Sequence, residues 1–376
     1  MPAVNLMIKP ASGLCDMRCA YCFYADEMER REVKSYGVMS EETLEQVIQK
    51  SLAYADRECT IAFQGGEPTL AGLPFYRKCL ELEKKYNRNG VKISHAIQTN
   101  GYHLDQEWCD FLASNHFLTG VSLDGVKGTH DAFRKGADGE DTYLQILEHV
   151  RMLERAGADV NILTVVHGKT APMIRKIYSQ YQKKNFQWQQ YIACIEPVAD
   201  GNIRDIRKTG YTLTAEMYGQ FLIDLFGLWE IDFYQGRQPY IRMFENYIGI
   251  LTGHAPEACE QRGMCGFQCV VEADGSVYPC DFYVLDQYRI GNLREDSFGD
   301  IVEKWEKSGF GEDSFNQPED CRKCQYFYIC RGGCRRQRED YGEGEKGRNR
   351  FCRSYQMFFE ACLPKLKRIA EKCLEA

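Results

Sequence analysis

The cysteine content is the feature of this sequence that most restricts its fold and chemistry, since 18 of the 376 residues are Cys. Three lie together near the start, four are spread between residues 23 and 258, and the rest follow from Cys259 onward. No run approaches the roughly 18 apolar residues of a membrane helix, and the first residues lack the basic and apolar regions of a secretory signal. We therefore predict a cytoplasmic protein, in which so many thiols indicate metal or cluster ligation and not disulfides.

Short β-rich runs alternate with helical patterns over the first 195 residues, as in βα units around a parallel sheet. The predicted helices begin near Ser40, Leu73, Asp105, Asp141 and Pro172. Six strands are fewer than the eight of a closed barrel, so we predict an α/β fold with a partial (β/α)6 TIM-like barrel. A doubly wound open sheet is the alternative. The predicted strands are residues 4–9, 60–64, 92–99, 118–123, 159–166 and 186–192.

The pattern changes along the chain and predicts three regions: 1–212, 213–253 and 254–376. A polar, Gly-bearing stretch over 197–212 is predicted to be the linker. An amphipathic helix over about 214–234 follows. Beyond residue 250 we expect a hairpin turn at 273–276 but few long elements, in a region ordered by bound metal.

The first cysteine group, Cys15, Cys19 and Cys22, has C-x3-C-x2-C spacing and directly follows the first predicted strand. That position places three thiolates at the mouth of the sheet, where α/β active sites form. A structural zinc site needs four ligands, whereas a [4Fe–4S] cluster held by three thiolates leaves one iron free to bind another molecule. A zinc ion with a remote fourth ligand is the alternative.

This spacing, with Tyr21 before the last cysteine, resembles the radical S-adenosylmethionine (SAM) enzymes, and Gly65-Gly66-Glu67-Pro68 follows in the expected place. The resemblance implies that the open iron binds SAM, whose reduction gives a 5′-deoxyadenosyl radical beside its target. It also implies that Glu67 accepts from the SAM ammonium and that Arg134 contacts the SAM carboxylate, where an exposed loop arginine is the alternative. The residues implied to contact SAM are Tyr21, Gly66, Glu67, Ser122, Arg134 and Ile195.

Eight C-terminal cysteines resemble the pattern of the SPASM domain, which holds auxiliary clusters in peptide-modifying radical SAM enzymes. The resemblance implies two further [4Fe–4S] clusters, and therefore three in the chain. Two zinc ribbons are the alternative. The seven other cysteines, including Cys269, are expected to bind nothing. The implied ligands are Cys259, Cys265, Cys280 and Cys334 for the first auxiliary cluster, and Cys321, Cys324, Cys330 and Cys352 for the second.

The net charge of −7 argues against nucleic acid and against anionic membranes as partners. Residues 321–376 nevertheless hold 14 Lys and Arg against 7 Asp and Glu. Two interpretations of this local excess are open: a basic shell that lowers the cost of burying anionic clusters, or a solvated basic face.

Along nearly its whole length the chain is most similar to the anaerobic sulfatase-maturating enzymes, which oxidise a serine or cysteine of a sulfatase to Cα-formylglycine. Asp281 directly follows Cys280 and matches the proposed base of that family, although a carboxylate that caps a turn would look the same. Tyr24 and Gln64 are candidate contacts of the substrate peptide. The implied partners are a sulfatase polypeptide with a Cys/Ser-x-Pro/Ala-x-Arg motif and an electron donor such as ferredoxin or flavodoxin.

Two other functions are open at this stage. Another SPASM peptide maturase would form thioether or carbon–carbon cross-links, but we expect no leader-gripping domain in the fourteen residues before Cys15. A non-catalytic iron–sulfur electron carrier would need neither Glu67 nor Ser122 nor an open iron.

Overall fold

The structure is a computed structural model, and it describes residues 3–195, 210–338 and 347–375. The described chain divides into two compact units, each assembled from three stretches of sequence. The first unit is Met1–Ser122, Arg134–Val160 and Phe267–Phe310; the second is Leu123–Phe133, Asn161–Gly266 and Gly311–Ala376. These units do not follow the three predicted regions, whose boundaries remain a prediction.

The described residues form ten strands and fourteen α-helices, apart from short 3-10 turns. The strands are β1 Val4–Ile8, β2 Glu58–Phe63, β3 Lys92–Thr99, β4 Leu118–Ser122, β5 Asp159–Val166, β6 Trp188–Ala193, β7 Tyr240–Ile241, β8 Val270–Val271, β9 Ser276–Tyr278 and β10 Gly291–Asn292. The helices are α1 Phe23–Glu29, α2 Glu41–Tyr54, α3 Leu73–Tyr86, α4 Gln106–Ser114, α5 Lys127–His130, α6 Tyr143–Ala156, α7 Ile174–Lys183, α8 Ala215–Tyr234, α9 Arg242–Leu251, α10 Phe298–Lys307, α11 Phe310–Asp313, α12 Glu319–Arg322, α13 Phe327–Cys330 and α14 Cys352–Glu375.

The sheet of the first unit has the strand order β10-β9-β8-β1-β2-β3-β4. Strands β1 to β4 are parallel and adjacent in chain order, while β8 pairs parallel with β1 and forms the predicted hairpin with β9. A doubly wound sheet reverses its strand order at a switch point. The uninterrupted order of β1 to β4 is instead typical of a barrel wound in one direction.

The carboxyl ends of β1 and β2 meet at one edge of this sheet, because the register pairs Ile8 with Phe63. Both side chains are fully buried, and the burial of β1 alternates along the strand as its apolar residues do. The residues that follow these strands are therefore brought together at that edge. Lys9 follows β1 and Gln64 follows β2.

Helix starts in the first unit follow the cap chemistry read from the sequence. Ser40 accepts a hydrogen bond from the backbone N–H of Thr43 at 3.1 Å and begins α2. Asp105 accepts from the N–H of Trp108 at 2.9 Å and begins α4. Each cap satisfies a backbone donor that the first helical turn leaves unpaired.

The second unit contains three parallel strands, β5, β6 and β7, and a pair of long helices, α8 and α14. The predicted helix over 214–234 is confirmed as α8, capped by Thr214. Beyond residue 250 most elements are short, as expected, but the sequence did not predict α14, which runs for 24 residues. Its buried residues Phe358, Phe359, Leu366 and Ile369 recur at helical spacing and form its inner face.

Most of the predicted linker, residues 197–209, lies outside the described residues. The four cysteines between residues 23 and 258 are buried, as expected of small apolar side chains. Among the described helices, none combines the length and the apolar character needed to cross a bilayer.

Candidate functional site

Backbone donors hold the first cysteine group in place. Cys22 begins α1, and its Sγ accepts from the N–H of Ala25 at 3.4 Å. The Sγ of Cys15 accepts from the N–H of Met17 at 3.5 Å. N–H donors directed at sulfur favour the thiolate form that metal ligation requires, although burial outweighs this effect at Cys15.

Two side chains from elsewhere in the first unit complete the surroundings of these cysteines. The Nη1 atom of Arg134 lies 3.8 Å from the Sγ of Cys19, and its guanidinium lies over the Tyr21 ring at 5.4 Å. Only 7% of Arg134 is exposed, so the alternative of an exposed loop arginine is wrong. Asn100, just after β3, places Nδ2 3.9 Å from the Sγ of Cys15. We did not predict Asn100, although its position after a predicted strand could have indicated it.

The first cysteine group fits an iron–sulfur cluster better than a zinc ion. Burial is the main cause that raises the pKa of Cys15 to about 12, so this thiol stays protonated until a metal binds in place of the proton. Within the described ranges, no three His, Cys, Asp or Glu side chains converge closely enough to hold one metal ion. A four-iron cluster binds each thiolate on a different iron, so its ligands stand farther apart than those of zinc.

The Gly65-Gly66-Glu67 turn packs directly on the loop that leads to Cys15. Gly66 donates its N–H to the carbonyl of Ser12 at 2.9 Å, and Glu67 donates to that of Leu14 at 2.7 Å. A Cβ atom on Gly66 would lie 2.1 Å from the Leu14 oxygen, so only glycine fits there.

The Glu67 carboxylate is 1% exposed and joins the ends of β2 and β3. It accepts from the hydroxyls of Thr69 and Thr99 at 2.6 and 2.8 Å, and from the N–H groups of Thr69 and Asn100 at 3.0 and 2.7 Å. Burial raises the pKa of Glu67 to about 7 despite these bonds. Its contact with SAM stays a prediction, as do those of Ser122, the half-buried last residue of β4, and of the half-buried Ile195 in the second unit.

Asp281 lies among polar side chains that follow the strand ends of the first unit. Its Oδ1 accepts from the Nζ of Lys9 at 2.5 Å, and its Oδ2 accepts from the Nε2 of Gln64 at 2.5 Å. These bonds tie the carboxylate to the carboxyl ends of β1 and β2. Because Asp281 is only 5% exposed, the ion pair with Lys9 is shielded from water.

A second buried ion pair lies on the other side of Lys9. The Lys9 ammonium lies 3.9 Å from the centroid of the Tyr24 ring. The hydroxyl of Tyr24 donates to Glu272, which also accepts from the Nη1 of Arg31 at 2.6 Å. Sequence analysis marked Tyr24 and Gln64 but missed Lys9, Arg31 and Glu272, which carry no motif.

The C-terminal cysteines of the second unit form two groups. Burial is the main cause that raises the pKa of the Cys334 thiol, and the charges of Cys259 and Cys265 add to it. Cys330 has its pKa raised to about 12 by burial first, with smaller contributions from Cys321, Cys352 and Cys324. The structure thus brings together all four predicted ligands of the second auxiliary cluster and three of the first. The fourth, Cys280, belongs to the first unit.

Comparisons with known proteins agree with this geometry. Residues 10–180 match the family model of the radical SAM superfamily, and residues 259–325 match that of SPASM, an iron–sulfur cluster-binding domain. Over 371 residues the chain is 40% identical to a cysteine-type anaerobic sulfatase-maturating enzyme of Clostridium novyi, covering 99% of this chain and 98% of the relative. The chain belongs to the anaerobic sulfatase-maturating enzyme family.

More distant and structural relatives support this membership. A serine-type member of the family from Bacteroides thetaiotaomicron is 28% identical over 372 residues, covering 96% of this chain and 89% of the relative. The solved structure of native anSMEcpe with bound AdoMet and Cp18Cys peptide has a TM-score of 0.92 at 39% identity, covering 99% of this chain and all of that one. The predicted fold class, radical SAM enzyme activity and SPASM domain are therefore confirmed.

Part of the basic excess of this sulfatase-maturating family member lies close to its C-terminal cysteines. All six arginines in the described residues between 331 and 350 are buried or half-buried. Arg348 places its Nη1 4.0 Å from the Sγ of Cys352, and Arg338 acts to lower the pKa of Cys321 against the larger effect of burial. The excess over residues 321–376 also includes exposed side chains, so these positions support a basic shell for one part of it and a solvated face for the other. The exposed residues are Arg322, Lys323, Arg353, Lys367, Arg368 and Lys372.

Proposed function

We propose that this chain oxidises a cysteine of a sulfatase polypeptide to Cα-formylglycine, with serine as the less favoured substrate. The higher identity to cysteine-type relatives, 40% against 28% for the serine type, supports this preference. The observation that carries the proposal is the buried Asp281 carboxylate, held in one unit with the first cysteine group and directly after Cys280.

The proposed cofactors are SAM and three [4Fe–4S] clusters. Cys15, Cys19 and Cys22 hold the first, and the C-terminal cysteines hold the other two with the allotment implied by the SPASM pattern. When bound, SAM and the first cluster supply the radical that removes a β-hydrogen atom, and the auxiliary clusters accept the remaining electron. The residues proposed to contact SAM are Tyr21, Gly66, Glu67, Ser122, Arg134 and Ile195.

Asp281 supplies the proton acceptor of this two-electron oxidation. Loss of one hydrogen atom, one proton and one electron from the side-chain methylene and thiol leaves a thioaldehyde, and water replaces its sulfur to give the aldehyde and hydrogen sulfide. Asp281 takes the thiol proton, while Lys9 and Gln64 hold its carboxylate. Hydrolysis of the thioaldehyde needs no further oxidant.

The proposal also covers the domain boundaries, the cellular location and the electron donor. We place the catalytic barrel in residues 1–212, the connecting helical segment in 213–253 and the SPASM domain in 254–376. The proposed location is the cytoplasm, and the proposed electron donor is ferredoxin or flavodoxin.

A peptide assay tests the function. The reconstituted, reduced protein is incubated with SAM and peptides containing Cys-x-Pro-x-Arg or Ser-x-Pro-x-Arg, and the products are weighed. We expect a mass loss of about 18 Da from the cysteine peptide, about 2 Da from the serine peptide, and 5′-deoxyadenosine. SAM cleavage without a change in peptide mass would contradict sulfatase maturation, whereas a larger cross-linked product would indicate another peptide maturase.

Two measurements test the residues and cofactors. Asp281→Asn removes the proton acceptor, so we expect SAM cleavage without formylglycine; full activity would remove Asp281 from the mechanism. Three clusters predict about twelve iron and twelve sulfide per chain. About four of each would contradict the auxiliary clusters.

A further inference from the structure

Lys9 is a buried lysine at the strand edge that also holds Asp281, and no motif accounts for it. Its side chain has no exposed surface, yet it is an ammonium whose burial is costly without a partner. The Asp281 carboxylate at 2.5 Å is that partner, and the face of the Tyr24 ring lies 3.9 Å from the ammonium. Both contacts are satisfied inside the first unit.

The fold makes room for this lysine at Gly65. Gly65 has a φ of +133°, and a Cβ atom there would lie 3.4 Å from Cβ and Cγ of Lys9 and 3.0 Å from the Ser12 carbonyl oxygen. The first glycine of the Gly-Gly-Glu-Pro turn therefore lies against the stem of Lys9. The Lys9 side chain thus reaches Asp281 alongside the same turn that packs on the loop before Cys15.

Stability alone does not explain this ion pair. Replacing a buried ion pair with apolar groups is often neutral or stabilising, so such a pair is weak support for a stabilising role. The nearby pair of Arg31 and Glu272 already joins the segment after α1 to the turn between β8 and β9. Lys9, in contrast, is bonded to the one carboxylate that we assign to the reaction.

We propose that Lys9 is a positioning residue that fixes the direction of the Asp281 carboxylate. The inference rests on the proposed function. Lys9 holds Oδ1 and Gln64 holds Oδ2, so rotation of the carboxylate is blocked from both sides. A carboxylate accepts at about four lone-pair sites, so two remain for the substrate proton.

The test compares Lys9→Met with Lys50→Met. Lys50 is a matched control, since its half-buried ammonium donates to the carbonyls of Leu293 and Asp296 at 2.6 and 2.9 Å in the same unit and serves no proposed catalytic group. For Lys9→Met we expect the kcat for formylglycine to fall about 10²-fold with little change in the KM of the peptide, the effect of a misdirected catalytic group. For Lys50→Met we expect an unchanged kcat.

Three further readouts separate positioning from folding. Iron content and thermal midpoint report whether each variant is assembled. The ratio of 5′-deoxyadenosine to formylglycine is expected to rise in Lys9→Met and to stay at the wild-type value in Lys50→Met. If Lys9→Met loses iron, Lys9→Gln and Lys9→Arg are compared instead. We expect only Lys9→Arg, which keeps the positive charge, to stay within about tenfold of the wild-type kcat.

The outcomes are distinct. A wild-type kcat and ratio in Lys9→Met, or equal losses in the Lys9 and Lys50 variants, would overturn the role of Lys9. Equal losses in Lys9→Gln and Lys9→Arg would overturn it as well. Failure of the proposed function is recognised separately, because the wild-type protein would then form no formylglycine from either peptide.

Discussion

The two cysteine regions of this chain are built in different ways. The first group lies in a loop between strand β1 and helix α1, and backbone donors, Arg134 and Asn100 surround its sulfur atoms. Among the predicted cluster ligands after residue 320, Cys321 and Cys330 lie on the four-residue helices α12 and α13, and Cys324 lies in the bend between them. Cys334 precedes a 3-10 turn, and Cys352 begins α14. None of these short turns would be stable alone.

The two regions differ in how far the fold positions the ligands before iron binds. At the first group, the parallel strands and the Gly-Gly-Glu-Pro turn fix the loop, so the ligands are positioned by the fold. At the C-terminal group only α14 is long, and we expect the short turns to depend on ligation for their order. We expect cluster loss to cost catalysis at the first site and structure at the second.

The largest expected effect comes from removing one ligand in each region. Cys330→Ser should lower the free energy of unfolding by about 4 kcal/mol, because a lost cluster frees several short turns at once. Cys15→Ser should abolish SAM cleavage but lower the thermal midpoint by less than about 2 °C, since the strand contacts remain. Anaerobic calorimetry and limited proteolysis measure the loss of stability in both variants, and the formation of 5′-deoxyadenosine measures SAM cleavage.

Cysteines that we assign to no cluster provide the controls. Cys373 is exposed in α14, and Cys373→Ser should change neither the stability of the protein nor its cleavage of SAM. Equal losses of stability in Cys15→Ser and Cys330→Ser would show that both regions depend on iron in the same way and would remove the contrast.

A backbone change should disrupt the first site without touching a ligand. In Gly66→Ala, the new Cβ meets the Leu14 carbonyl at 2.1 Å, so the loop before Cys15 must move, at a cost of about 3 kcal/mol. SAM binding should be lost with it. Gly227→Ala is the control, because nothing lies within 4 Å of its added Cβ in α8, and alanine should stabilise the helix by about 0.5–1 kcal/mol. An unchanged affinity for SAM in Gly66→Ala would contradict the proposed role of this turn.

The smallest effect concerns Glu67. Its pKa in the folded protein, about 7, lies above the usual value, so the folded state binds more protons than the unfolded state between about pH 4.5 and 7. Stability therefore falls as the pH rises through this window, by about 2 kcal/mol from this residue. Glutamine does not titrate, so Glu67→Gln lacks this contribution. The thermal midpoint of the variant minus that of the wild type should therefore increase as the pH rises. A difference that stays constant from pH 4.5 to 7.5 would show that Glu67 does not titrate there.

Local signals predicted much of the fold. The boundaries of β3 and β5 and the caps Ser40, Asp105 and Thr214 follow from alternation and hydrogen bonding within a few residues. Helix α14 was missed because its first residues carry cysteine and its interior carries Pro364, which hides a periodic apolar face. Helix α1 was not predicted because it has only seven residues and directly follows the cysteine loop.

The sequence alone determined the chemistry of the site. Cysteine spacing, the glycines of the turn and the place of Asp281 depend on neighbours in the chain, so they can be read directly. The surroundings of these groups come from the packing of distant segments: Asn100 lies at Cys15, and Lys9 and Gln64 donate to Asp281. Lys9 and Asp281 are 272 residues apart, and strand register, which no local pattern encodes, brings them within hydrogen-bonding distance.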